Sequence, residues 1–482
     1  MYLYDSKTAQ ILEQTCIEKN KCGFLLMMRA AHTILNFAKK KLQGRLWCVV
    51  GPGNNGGDAI GVAALALLEN IDARCIRLNS SIKGYAALSY AFSQNLNLKF
   101  QADLPHLCTL KPGDVIIDGV FGIGISRPPE GLMSHAIEWI NEAHSNGITV
   151  ISIDIPSGLN ATNGQPFGCV VKADATIMCL TAKQGCYTGQ SPELTGELCF
   201  ADLGMKNLNN LISANSYLLS SDQLTAPNRS PIAHKGNYGN VLVLGGWDGM
   251  EGAGFLAGIA ALRAGAGKVF ICGPKTERQP YELINVPRDI NTFKSILLTM
   301  DAIVVGPGLG QYADEFIETA WVENIPLIMD ADGLRWLARA NLRIQKKSFW
   351  IATPHPGEAV ALLKENCDDR FKTLNALHQK FGGKWVLKGP GTIIGPKPIF
   401  INPLANSALA TAGSGDVLAG IIGGLVAQKA TDPELLGVYL HSESARYALA
   451  ENKKTLLASD IVNKIGNALA SLDRNTCSKF LT

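Results

Sequence analysis

Residues 45–68 read RLWCVVGPGNNGGDAIGVAALALL: an apolar run, a turn crowded with glycines at 51, 53, 56 and 57, then a small-residue helical stretch. An apolar run this short fits a strand buried on both faces of a parallel sheet. The glycines allow positive φ and let a ligand approach the main chain. The N–H groups at the start of the following helix favour an anion such as a diphosphate. No lysine marks a P-loop, and a tight strand-to-helix turn needs glycine in any case, so the turn alone leaves a bound anion and a purely structural bend both open.

Outward from that turn the pattern repeats. RLWCVV, DARCIRL, DVIIDGVF, ITVISIDI and ADATIMCL are strand-like, with helical patterns such as AIGVAALALLEN and LMSHAIEWINEAH between them. Alternation of this kind predicts βαβ units on a parallel sheet. It breaks in the Ser-, Asn- and Pro-rich segment 213–240, then resumes with NVLVLGG, GKVFICG, DAIVVGPG, IPLIMDADG, SFWIATPHPG, KWVLKGPGTII and PIFINP, followed by a helix from about Gly415. The expected fold class is α/β in two domains, residues 1–215 and 225–480. Nearly every strand of the second series ends in Gly, Pro or Asp, and ligands of open parallel sheets sit beyond the strands' carboxyl ends.

With 482 residues, 47% hydrophobic and 18% charged, the chain suits well-buried globular domains and not disorder. A formal charge of +3 without lysine or arginine runs gives nucleic-acid binding no electrostatic support. Twelve cysteines are scattered without a CxxC pair, and the spacing of Cys16 and Cys22 fits no zinc pattern. The N-terminus shows no signal-peptide pattern, and the longest apolar run, 417–427, is too short to span a bilayer. A cytoplasmic protein with no nucleic-acid or membrane partner is expected.

Chemistry concentrates at strand tips. Asp118, Asp154 and Ser157 follow apolar runs, and a carboxylate there is costly unless paired or bound to a cation. With Asn55 they predict a polar pocket able to take a hard cation on oxygen ligands. In ATAGSGDVLAG, Gly413, Ser414 and Gly415 precede Asp416 at a helix start, where free N–H groups make an anion hole. The helix dipole favours an ionised Asp416 by about 0.3–1 kcal/mol, making it a general base unless it only caps the helix. His355, between prolines in TPHPGE, reads as a ligand contact or a structural histidine, and KGPGT (Lys388–Thr392) as a phosphate loop or a plain hairpin turn.

In this order, GxGNNGGD, the DGVFGIGISRP segment and DIPSG closely resemble the epimerase domain of NAD(P)H-hydrate repair enzymes, over about residues 1–215. GMEGAGFLAGIAALRAGAG, VVGPGLG, MDADGL and NSALATAGSGDVLAGIIGGLVAQ are similar to the dehydratase partner, over about 225–480. The resemblance implies a Rossmann-like three-layer domain followed by a ribokinase-like one.

On the first domain it implies substrate contacts from Asn54, Asn55, Gly56, Gly57 and Asp58, and from Gly122, Ile123, Gly124, Ile125, Ser126, Arg127 and Pro128. Asp154 would be acid/base, with potassium on Asn55, Asp118 and Ser157. On the second it implies hydrate contacts from Ala253, Gly308, His355 and Asp416, and nucleotide contacts from Lys388, Gly389, Pro390, Gly391, Thr392 and Gly415, with Mg²⁺ accompanying ADP. A homo-oligomer is also implied. The chain departs from the family pattern at Ala59, Asn160, Ser414 and Ser442.

The two chemistries then complement each other. Hydroxide is a poor leaving group; phosphorylating the hydrate's hydroxyl lets the ring nitrogen expel phosphate and restores the reduced ring, and transfer of this kind rests on positioning and charge stabilisation. A stereospecific base reaches one epimer only, so the other must be interconverted. A rival makes the second domain a small-alcohol kinase regulated by a nucleotide-sensing first domain.

Overall fold

The computed structural model describes residues 1–482 except 21–22, 79–80, 341–345, 347, 405, 452–453 and 479–482, so Cys22 lies outside the described residues. The chain divides into two compact units, Met1–Tyr217 and Leu218–Thr482.

In the first unit, β1 (Tyr2–Tyr4) leads into helices α1 (Ser6–Asn20) and α2 (Gly23–Ala38). The wound core follows as β2 (Leu46–Val50), α3 (Asn54–Leu68), β3 (Ala73–Arg77), α4 (Tyr85–Asn95), β4 (Lys99–Gln101), β5 (Val115–Gly119), α5 (Leu132–Ser145), β6 (Thr149–Ile153) and β7 (Ala175–Cys179). The short β8 (Ala182–Lys183) pairs with β1, β9 (Glu197–Ala201) closes the sheet edge beside β7, and β10 (Ser216–Leu218) ends the unit's pairing on β1. The main sheet is parallel, in the order β4-β3-β2-β5-β6-β7-β9.

All five residues of β2 and of β5 are buried, as expected of strands covered on both faces. One apolar layer holds Ile34 and Leu35 of α2 with Ile60 and Ala63 of α3. The other holds Ile137 and Ile140 of α5. Because β3 and β4 lie on one side of β2 and β5 on the other, the strand order reverses between β2 and β5. That reversal opens a crevice at their carboxyl ends, where ligands of such folds bind. The turns 51–58 and 120–128 flank it.

The second unit repeats the plan. It runs β11 (Asn240–Leu244), α6 (Glu251–Arg263), β12 (Lys268–Cys272), β13 (Leu283–Val286), α7 (Ile290–Leu297), β14 (Ala302–Val305) and α8 (Asp314–Val322). Then come β15 (Leu327–Met329), α9 (Ala331–Arg339), β16 (Trp350–Ala352), α10 (Pro356–Leu363), α11 (Arg370–Phe381) and β17 (Lys384–Leu387). Strands β18 (Ile393–Gly395) and β19 (Ile399–Ile401) and helices α12 (Ser414–Ala427), α13 (Pro433–Leu449) and α14 (Ala458–Ser478) complete it. Its strands run β13-β12-β11-β14-β15-β16-β17-β18-β19, antiparallel only at β17-β18-β19. The order reverses between β11 and β14.

One face of this sheet is covered by α6, α12, α13 and α14. On the far side, Trp336, Trp321, Trp350 and Trp385 pack edge-on or tilted in sequence at centroid distances of 5.4–5.6 Å, joining α9 and α8 to the starts of β16 and β17. The glycines of the apolar run 417–427 are contact points rather than interruptions. A methyl at Gly420 would collide with the Ala257 carbonyl oxygen of α6, and one at Gly424 would lie 2.5 Å from that of Ala261. The absent side chains let the two helices touch along their backbones.

Candidate active sites

A cavity of about 250 Å³ opens at the β2–β5 reversal. Its wall includes Asn54, Asn55 and Asp58 from the start of α3, Gly122, Ile123 and Gly124 from the loop after β5, and Asp154 after β6. Gly56, Gly57, Ile125, Ser126, Arg127 and Pro128 do not line it. Gly56 serves the turn, since a side chain there would strike the Gly51 carbonyl oxygen. Gly122 lies against the Asn55 amide, with no room for a Cβ.

Asp154 adopts φ +67°, a left-handed conformation that Asp tolerates better than most residues. Its Oδ1 accepts the Cys179 N–H at 2.9 Å and a close bond from the Lys183 ammonium, which also donates to the Cys179 carbonyl at 2.9 Å. Lys183 is 1% exposed, so this is a buried ion pair.

Behind the cavity, Asp118 is fully buried. It accepts from Ser152 Oγ (2.8 Å), Ser157 N (2.9 Å), Ser157 Oγ (2.5 Å) and Val120 N (3.3 Å). All four donors are neutral, and burial outweighs them, holding the carboxyl above its ordinary range. Asn55 Nδ2 donates to the carbonyls of Phe121 (3.0 Å) and Ile153 (2.8 Å), bracing the two loops.

In the second unit, α12 begins after Gly413 at φ +86° and carries Asp416 in its first turn. Burial, then the charge of Asp330, push the Asp416 carboxyl up to about 6, against the lowering pull of Lys388. The balance differs from the dipole-based expectation: desolvation and neighbouring carboxylates win over the helix terminus. The group is still mostly ionised at neutral pH.

Lys388 Nζ binds Asp330 Oδ1 at 2.7 Å and lies 3.9 Å from Glu358 Oε2. Gly415 sits against this pair. The KGPGT segment is a hairpin turn between β17 and β18 whose first residue enters the carboxylate cluster. Arg370, buried, clamps it from below by donating to Pro390 O (2.6 Å), Leu387 O (2.7 Å) and Lys388 O (3.1 Å), and burial holds its guanidinium down to about 10.

Across the β11–β14 reversal, Gly308 (φ +55°) lies against Met250 and Ala253. The loop around it is held by Asp332 Oδ2, which accepts from Leu309 N (3.1 Å) and Gly310 N (2.8 Å). His355 is exposed and caps α10, its Nδ1 accepting from Gly357 N (3.0 Å) and Glu358 N (3.3 Å), while its Nε2 lies 3.4 Å from Glu358 Oε1.

Sequence reasoning passed over Lys183, Asp330, Asp332 and Glu358. The last three stand in MDADGL and TPHPGE, and their strand-tip positions were the available signal. Three of the four departures have local roles. Asn160 Oδ1 accepts Thr162 N at 2.8 Å, Ser414 Oγ lies 3.1 Å from His441 Nε2, and Ser442 Oγ accepts Asn402 Nδ2 at 2.6 Å.

Comparison with known proteins bears on both crevices. Residues 241–467 match the family model described as NAD(P)H-hydrate dehydratase, and residues 24–185 the one described as YjeF-related protein N-terminus. The bifunctional NAD(P)H-hydrate repair enzyme Nnr of Coxiella burnetii is 34% identical over 491 residues, spanning 95% of this chain and 97% of its own. This chain belongs to the bifunctional NAD(P)H-hydrate repair enzymes. The family member of Escherichia coli K12 is 33% identical over 461 residues, 91% of this chain and 88% of its own. A ribokinase-like superfamily protein from Enterococcus faecalis V583 has a solved structure that matches at TM-score 0.50 and 26% identity, covering 54% of this chain and 96% of its own. The family's paired activities fit two separate crevices, one per unit, each at a strand-order reversal.

Proposed function

We propose that the chain repairs hydrated NADH and NADPH in two steps. The first unit interconverts the R and S epimers at the hydroxyl-bearing ring carbon, and the second dehydrates the S epimer to NAD(P)H. ADP is the phosphoryl donor, with AMP and phosphate as products. The observation that carries the reading is Asp416, half-buried at a helix start among Asp330, Glu358 and Lys388.

Asp416 takes the proton of the hydrate's hydroxyl while the N–H groups at the start of α12 hold the phosphoryl group in transfer. Ala253 and Gly308 flank the hydrate, joined by the exposed ring of His355. Lys388–Thr392 and Gly415 receive the nucleotide phosphates. Among the described residues no trio of His, Cys, Asp or Glu is placed to hold a metal alone. Mg²⁺ bound with ADP would be held by Asp330 or Glu358 and would offset the charge on the phosphates.

In the first unit, Asp154 handles the proton and Asn54, Asn55, Asp58 and Gly122–Gly124 position the ring. Asp118, Ser157 and Asn55 would hold potassium. A fully buried carboxylate met only by neutral donors suits a monovalent cation on oxygen ligands. When bound, the ion supplies the missing positive charge behind the pocket. A cytoplasmic homo-oligomer belongs to the same reading.

The test is to supply both hydrate epimers with ADP and Mg²⁺ and follow recovery of reduced cofactor. Full recovery is expected. Recovery that halts at the fraction of one epimer removes the first activity, and no recovery removes the second.

A further inference from the structure

We propose that Glu13 of α1 is the second proton-handling group of the first site, working with Asp154 on the two faces of the hydrate's ring; this rests on the epimerase reading above. Ala9, Gln10, Glu13 and Ile17 line the same cavity as Asp154, and that spacing places them on one face of α1. Glu13 stands outside the matched segment 24–185 and outside every glycine-rich motif. It is tied to the site directly, since Asn54 Nδ2 donates to Glu13 Oε1 at 3.3 Å.

The two carboxyl groups have different surroundings. Asp154 accepts from a buried ammonium and a backbone N–H. Among the described residues Glu13 makes no ion pair, and burial followed by the Asp154 charge raises its carboxyl. Two carboxyl groups in such unlike surroundings, one paired to a buried ammonium and one not, are suited to divide acid and base roles. The groups facing Glu13 are Asp58 and Asn54 from α3, Asp154 after β6, Cys179 at the end of β7, Lys183 in β8 and Tyr85 from α4.

A ring bound between α1 and the strand tips turns one face to each acid. Glu13 gives its proton to the hydroxyl; the carbon–oxygen bond breaks with both electrons on oxygen, and water leaves. The ring-nitrogen pair forms a C=N bond. A second water adds to that carbon on the other face, the C=N pair returns to nitrogen, and Asp154 takes the water's extra proton. One water leaves and one adds, so no oxidant or reductant is consumed. The net proton moved from Glu13 to Asp154 is restored by solvent or by the reverse reaction, in which the roles exchange.

The experiment uses the full chain without ADP, so that dehydration is idle, and follows conversion of one purified epimer by NMR. E13Q should lower kcat by about 10²–10⁴-fold with little change in KM, and should lose the fall in rate at high pH that marks ionisation of the acid. E13D, which keeps a carboxyl, should keep that limb and outpace E13Q by at least about tenfold. D58N should keep the limb, and ADP-dependent dehydration of the S epimer by E13Q should match the parent.

Glu13's role is overturned if E13Q converts epimers at the parent's kcat, if E13D is as slow as E13Q, or if D58N rather than E13Q removes the limb. If the parent itself leaves the epimers unconverted, the epimerase reading falls as well. An active parent with an unimpaired E13Q discards Glu13 alone.

Discussion

Replacing Asp330 with Asn should move the acid limb of dehydration to lower pH. In the parent, Asp416 must be ionised to act as base, and its carboxyl stands at about 6. The rate at pH 5 is then about one-tenth of the plateau. Asp330 is the largest charge raising that value, and Lys388, which lowers it, is paired to Asp330 at 2.7 Å. Losing the Asp330 charge removes a repulsion and leaves Lys388 to attract Asp416, so both changes lower the Asp416 pKa. A nearby charge of this kind moves a carboxyl by on the order of one pH unit. The rate at pH 5, relative to the variant's own plateau, should therefore rise about fivefold. The assay is kcat against pH at saturating ADP, which separates this effect from weaker nucleotide binding. A limb that stays near the parent's position, or climbs, refutes the electrostatic account of the base.

Other perturbations test other parts of the structure. Gly420→Ala gains about 1 kcal/mol of helix propensity but drives a methyl into the Ala257 carbonyl of α6, where overpacking costs about 1–3 kcal/mol. Calorimetry should show a lower Tm, and an unchanged or higher one refutes the close contact. Arg370→Met removes three donors from the hairpin carbonyls; KM for ADP should rise about tenfold with kcat less affected, and an unaltered KM rejects the clamp. Exchanging potassium for tetramethylammonium should slow epimer interconversion and spare ADP-dependent dehydration. Equal rates of interconversion in the two salts would leave Asp118 without its proposed counter-ion.

The wound sheets were legible because their signals are local. Runs such as RLWCVV and DAIVVGPG contain the strands Leu46–Val50 and Ala302–Val305, and each ends where glycine permits a turn. The edge strands Lys99–Gln101, Glu197–Ala201 and Leu283–Val286 were not, since a strand at a sheet edge keeps exposed residues and loses the unbroken apolar run. In the sites, Asp154 and Asp416 could be named from their turns. Lys183 and Glu13 could not, because each gains meaning only from a partner far along the chain: Lys183 from Asp154, and Glu13 from a helix folding over a pocket built by later strands. His355 shows the reverse case. The prolines around it were visible, but its use of Nδ1 as a helix cap depends on the geometry of α10.

The backbone contact of α12 with α6 also governs how the second crevice can open. Asp416 rides on the first turn of one helix and Ala253 on the first turn of the other, so these two jaws are bolted together and cannot part to admit a dinucleotide. The neighbouring ribbons 245–250 and 306–312 are joined as well, Gly246 N donating to Pro307 O (2.8 Å) and Trp247 N to Gly308 O (2.7 Å), so the site meets its substrate as a preformed frame. A chemical cross-link between those ribbons should therefore leave cargo exchange and turnover unchanged.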